Sequence, residues 1–364
     1  MKIVFWGDIL PGGILPYLKT DPLSESVKQI IGDNEIGVGT LECAIGDNLP
    51  FDSEKMKGRA NIIYAPTSTA NLLVQMGIKI VSLANNHIFD LGKEGLISTI
   101  NFLKQNGILY TGAGENIDEA VKPVIIEREG IKIAFIAGCT YDSKQVAYVP
   151  IASNDHYGIV PLESEEILLK IKECKKTCDY VVLLAHWGKE YSHFPLESSK
   201  KLAQLFINSG VDLIIGGHTH TAQPECNING KKVFFSLGNG LFPDFLMNKP
   251  RPIWYPDPTT FDIGSIPSTL AYPYPVDRPL LRVWPTYSRI GILAECKISK
   301  NKIYCKRRFV RLSNENVIEI CRDTNLHIWL KIISIFIKTP LYDEGRFITR
   351  VRNGLSKVKH FFCN

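Results

Sequence analysis

No apolar stretch of the 364-residue chain approaches the ~20 residues needed to cross a bilayer, and Met-Lys leads at once into Ile-Val-Phe-Trp-Gly-Asp, too short a run for a secretory leader. As written, the chain is expected to be cytoplasmic. Its nine cysteines include no C-x-x-C pair, so in that compartment they read as reduced, mostly structural thiols. The first 240 residues contain no long basic run, and the net charge is only +5. Nucleic acid is excluded as a partner on that ground, because it demands a concentrated basic face.

What is present is ordinary globular composition, 45% hydrophobic and 22% charged, ample for a large core. Five short apolar runs, Lys2–Trp6, Glu35–Thr40, Ile78–Ala84, Tyr180–Ala185 and Val211–Ile215, each lead to a residue type that binds metal ions. In order they deliver Asp8, Glu42, Asn86 with His87, His186, and His218 with His220. In open α/β sheets, ligand sites lie beyond the carboxyl ends of the strands, so residues placed there by separate strands converge. One mixed oxygen and nitrogen metal site is expected, and the absence of a linker between Asp8 and His220 argues for one domain with additions.

Helical patterns alternate with these runs at Ser68–Gln75, Lys93–Gln105, Ser164–Thr177 and Ser198–Asn208, which predicts a largely parallel sheet covered by helices. Val124–Ala137 and Ile290–Arg311 read as hairpins, and a four-residue loop Ser299–Lys302 in the second sets Cys296 directly opposite Cys305. Mixed sheets, or two stacked sheets, follow. From Pro243 the chain is crowded with prolines and aromatics. It reads as an insertion loop over 243–286, either a self-packed cover or a substrate wall in which Arg251, Arg278 and Arg282 suit anions. A closing hairpin, 287–312, and a helical basic tail, 313–364, complete the chain. Leu326–Ile337 is apolar nearly all round, and Arg346, Arg350, Arg352, Lys357 and Lys359 follow without an acid after Glu344. Burial against the body and weak contact with an anionic membrane are the two readings.

Two imidazoles two residues apart after paired glycines, His218-Thr219-His220, form the strongest single signal. Asp8 and Glu42 alone could be helix caps. Asn86 offers a neutral carbonyl oxygen to a metal, while His87 beside it can act as an acid. Mixed Asn, His and carboxylate ligation suits Mn, Zn or Fe over Mg or Ca. Lys55, Lys57 and Arg59 form a basic cluster that could receive an anionic substrate, or simply a solvated loop.

Together GDI at Gly7–Ile9, Leu41-Glu42, ANNHIFDLGKEGL at Ala84–Leu96, TGAGEN at Thr111–Asn116, HWGKEY at His186–Tyr191, GGHTHTAQP at Gly216–Pro224 and SLGN at Ser236–Asn239 resemble the CapA family of capsule synthesis proteins. The resemblance covers residues 1 to about 243. It implies a variant of the calcineurin-like metallophosphatase fold over 1–242, an α/β/β/α sandwich of two mixed sheets flanked by helices. It also implies one or two divalent metals, Glu42 bridging, with Asn86, His186 and His218 on one metal and Asp8 and His220 on the other. His87 would protonate a leaving group, and Trp187, Glu190, Tyr191 and Asn239 would line the substrate site. Three positions depart from the pattern: Leu10 replaces the His of D-x-H, Thr40 replaces Asn before Leu-Glu, and Gly217 replaces a His. The implied role is capsule, surface-polysaccharide or poly-γ-glutamate biosynthesis, as a metal-dependent hydrolase of phosphoester or acyl bonds. The alternative is a non-catalytic assembly factor binding glycan, lipid carrier or a partner enzyme. Implied partners are an anionic polymer, sugar phosphate or phosphoester, and the capsule synthesis machinery.

Overall fold

The computed structural model describes residues 1–33, 36–47, 62–140, 149–248, 253–270, 276 and 278–336. Strands β1 (Lys2–Ile9), β2 (Ile36–Leu41), β3 (Ile78–Ser82) and β4 (Leu109–Thr111) lie parallel in that order. The hairpin β5 (Val124–Arg128) and β6 (Ile131–Cys139) then starts a second sheet. There β7 (Tyr180–His186) and β8 (Leu213–Gly217) add parallel to β6, and β9 (Glu225–Ile228) and β10 (Lys231–Phe234) finish it, in spatial order β9-β10-β8-β7-β6-β5. β11 (Asn239–Leu241) pairs with the end of β1. Three short strands, β12 (Phe245–Met247), β13 (Ser268–Thr269) and β14 (Leu280–Arg282), make a small sheet of their own. Antiparallel β15 (Ile290–Ser299), β16 (Lys302–Leu312) and β17 (Ile318–Cys321) extend the first sheet from the start of β1.

The two sheets are stacked because their strands are apolar on both faces. In β7 every residue is buried; Val182 and Leu184 join the core between the sheets, with Phe5, Phe135 and Leu213, while Val181, Leu183 and Ala185 join a second core on the opposite face. That second core is covered by α3 (Glu165–Thr177) and α4 (Glu197–Ser209), through Ile167, Ile171, Ala203 and Phe206. The outer face of the first sheet is covered by α1 (Glu25–Asp33) and α2 (Gly92–Gln105). The architecture is the expected α/β/β/α layering of two mixed sheets flanked by helices. Chain chemistry fixes the ends of the helices: the Ser164 hydroxyl accepts the Ile167 N–H, and Gly210 leaves α4 at φ 118°. The final helix, α5, is Thr324–Phe336.

Two expectations need correcting. The 243–286 stretch is not simply loop, since β12, β13 and β14 pair within it. Prolines bar longer strands there. The register of β15 and β16 does set Cys296 against Cys305, but the two are joined in a disulfide rather than reduced; directly opposed residues bring their sulfur atoms together without backbone movement.

Candidate metal centre

The first sheet brings Asp8, Glu42 and the loop holding Asn86 and His87; the second brings His186 from the end of β7 and His218 and His220 beyond β8. Ligand atoms of Glu42, His186 and His218 lie within 4.8 Å of one another, as do those of Asp8, Glu42 and His220. Glu42 is common to both groups. His186 Nε2 is 3.4 Å from Glu42 Oε1, 3.1 Å from His218 Nδ1 and 2.8 Å from Asn86 Oδ1, and His220 Nε2 is 3.7 Å from Glu42 Oε1.

Whether these residues fit a metal is answered by their lone pairs. Asp8 Oδ1 and both oxygens of Glu42 are buried and accept no hydrogen bond among the described residues, although the other Asp8 oxygen takes the His218 N–H at 2.8 Å. Buried carboxylate oxygens without donors are costly unless a cation satisfies them. Burial pushes Asp8 up to about 7, and burial with the neighbouring Asp8 charge raises Glu42 well above the ordinary carboxylate range. Burial likewise drives His186 far down and His220 down to about 3. Neutral imidazoles are what a metal requires, and a divalent cation would hold the carboxylates ionised. The donor set therefore fits one or two ions of the Mn, Zn or Fe class.

Supporting residues fix this arrangement. Asn239 Oδ1 lies 2.9 Å from His220 Nδ1 while its amide donates to the Ser288 carbonyl. These bonds hold the His220 ring in place. Trp187 is buried in the second core with its indole N–H on the Phe235 carbonyl. Tyr191 stands over His220, ring centres 6.1 Å apart, and Glu190 is half-buried within electrostatic reach of His87, desolvation raising its pKa and His87 opposing that. Lys55, Lys57, Arg59 and Arg251 lie outside the described residues. Arg278 is exposed, whereas Arg282 is buried over Trp284, whose ring is 5.0 Å from His220. The insertion thus places one aromatic ring, Trp284, against the centre. Leu10 is fully buried among apolar residues.

His87 Nδ1 is 2.7 Å from Asp90 Oδ2, which also accepts the Ile63 N–H at 2.6 Å. A carboxylate on Nδ1 turns Nε2 toward a reacting group. Asn85 accepts the His87 N–H and donates to the Leu41 carbonyl, tying this loop to the end of β2. Neither Asp90 nor Asn85 was singled out from the sequence. The signal was an acid three residues after His87.

The family model for the bacterial capsule synthesis protein PGA_cap matches residues 2–244. The PGA biosynthesis protein CapA of Bacillus subtilis is 33% identical over 65% of this chain and 62% of its own length; the capsule biosynthesis protein CapA of Bacillus anthracis is 30% identical over 65% and 58%. The chain thus spans about three fifths of the length of these curated relatives. Among solved structures, the calcineurin-like phosphoesterase YfkN of Bacillus subtilis matches at TM-score 0.41 and 13% identity, covering 93% of this chain and 99% of that one, a likeness too distant to carry an argument. On the family match alone, which takes in β1 through the strand after the His-Thr-His turn, the chain belongs to the bacterial capsule synthesis protein family PGA_cap.

Proposed function

We propose that the protein is a metal-dependent hydrolase of a phosphoester or related acyl bond, acting in the synthesis of a capsule, surface polysaccharide or poly-γ-glutamate. One observation carries this reading: the orphaned oxygens of Asp8 and Glu42 lie among neutral imidazoles within one loop of the His87–Asp90 pair. Bound divalent ions would supply positive charge to the reacting phosphoryl or acyl centre and make water acidic enough to attack. Glu42, Asn86, His186 and His218 would hold one ion, and Asp8, Glu42 and His220 would hold a second. Asp90 accepts the His87 Nδ1 proton and so orients the ring, and His87 in its doubly protonated form would deliver the Nε2 proton to the leaving-group oxygen. Tyr191 and Trp284 exclude water and pack against the organic part of the substrate. An anionic polymer or a sugar phosphate suits that combination, in company with the synthesis machinery that the names of the relatives imply.

The test is release of phosphate or nitrophenol from mono- and diesters, and cleavage of γ-glutamyl and sugar-phosphate compounds, with Mn, Zn or Fe added. His87→Gln should lower turnover about 10²–10⁴-fold with metal content unchanged. The second reading, a non-catalytic assembly factor, draws on Leu10, which leaves the Asp8 group one ligand short of the D-x-H pattern. If no substrate is turned over and His87→Gln still restores capsule to a deletion strain, the assembly reading replaces the catalytic one.

A further inference from the structure

A helix docked on a protein body normally turns one apolar stripe inward and a polar face outward. α5 does not. Leu330 and Ile333 are fully buried against the body, with Leu326 and Trp329 partly buried beside them. On the far side Ile328, Ile332 and Ile335 are 50%, 38% and 64% exposed. Their spacings of four and three place them on one face, so the helix is apolar on opposite sides and the outer stripe meets nothing among the described residues.

We propose that this outer face of α5 docks on an anionic lipid surface. Charge selects the occupant. The sequence that follows carries Arg346, Arg350, Arg352, Lys357 and Lys359 and no acidic residue after Glu344, and a basic segment joined to an interfacial apolar stripe adds attraction to anionic headgroups. No described helix is long and apolar enough to cross a membrane, so the contact is with the interface. The geometry also gives the docking a use. Behind α5, Leu326 and Trp329 line a largely apolar cavity of about 410 Å³ with Tyr287 and His193. Tyr287 lies 6.4 Å from Tyr191, itself 6.1 Å from His220. A lipid surface held by α5 would therefore sit beside the aromatic rim of the metal centre, where it would present lipid-linked substrate. This last step rests on the proposed hydrolase; the docking does not.

The experiment is co-sedimentation of the full-length protein with phosphatidylcholine vesicles, with and without phosphatidylglycerol, for wild type and the triple variant Ile328→Gln, Ile332→Gln, Ile335→Gln. All three side chains are exposed, so the far-ultraviolet spectrum and Tm should match wild type, which establishes that the variant is folded. Wild type should partition to the anionic vesicles at least about tenfold better than to neutral ones, lose that preference in high salt, and lose roughly tenfold or more on the triple substitution. Equal binding by wild type and variant, or no binding by wild type, overturns the proposal. So does a wild-type dimer that becomes monomeric in the variant without vesicle binding, since the occupant would then be a second copy of the chain. None of these outcomes depends on turnover, so they remain separable from the fate of the hydrolase reading.

Discussion

His218 and His220 have φ of 86° and 52°, a region that costs a non-glycine residue on the order of 1–3 kcal/mol and persists only when its surroundings impose it. Here the surroundings are the Asp8 carboxylate on the His218 N–H, and Thr219 Oγ1 donating to Ser236 Oγ at 2.9 Å. The Gly217 just before the turn explains one departure from the family pattern: a Cβ there would stand 2.3 Å from Asp8 Oδ1. Gly217→Ala should accordingly push Asp8 off its position and reduce bound metal in the Asp8 group, read by elemental analysis, with the Glu42, His186 and His218 group less affected. Metal content equal to wild type would refute this. The raised pKa of Asp8 gives a second prediction. An acid whose folded value, about 7, lies above its ordinary 3.8 contributes stability that is full below pH ~4 and is lost as pH rises through 7. In metal-free protein, Asp8→Asn should therefore melt a few degrees above wild type at pH 8 and alongside it at or below about pH 4. A variant that melts below wild type at pH 8 would contradict it. Residue identities at the strand ends were legible in the sequence because few apolar strands finish on metal-binding types. The burial of Trp187 and the bonds that Asn239 makes to His220 and Ser288 were not, because a motif does not reveal which way a side chain turns.

Element by element, the helices were the most readable part. α2, α3 and α4 start and end within about one residue of their patterns, because caps and glycines act locally. The 67–75 stretch breaks into two short helices, Thr67–Ala70 and Leu72–Gln75, where tertiary packing rather than propensity decides. The three-strand sheet within 243–286 could not be foreseen: strands of two or three residues leave no periodicity to read. The hairpin of β15 and β16 was legible in register, and redox state alone escaped it, since register fixes distance and the compartment fixes oxidation. Closing the loop between Cys296 and Cys305, nine residues apart, should contribute about 2–3 kcal/mol on the chain-entropy account. Cys296→Ser with Cys305→Ala should lower the denaturant midpoint by a corresponding amount, with an unchanged m-value, relative to oxidised wild type. A midpoint indistinguishable from wild type, in protein shown by thiol titration to be oxidised, would mean the bond adds nothing.

At the scale of the whole molecule, the centre is where the two sheets are tied at their open ends. Asp8, Glu42 and Asn86 come from one sheet and His186, His218 and His220 from the other, while the apolar core between the sheets lies behind them. A cation shared across that seam would bind the native layers and not the unfolded chain, so it should act as a stabilising ligand worth about 2.7 kcal/mol at a hundred times its dissociation constant. Chelation should therefore lower Tm by several degrees, and adding Mn, Zn or Fe should restore it in proportion to the logarithm of free metal. Amide exchange should quicken on chelation at the ends of β1 and β8, where the layers meet, more than in β16 and β17, two and three strands away from β1 in the first sheet. Glu42→Gln should abolish the metal response, because its carboxylate faces both ligand groups and its amide would turn a donor toward imidazole nitrogens and the Asp8 oxygen. A Glu42→Gln variant whose Tm still climbs with added metal would place the ions elsewhere, and the two sheets would be held by apolar packing alone.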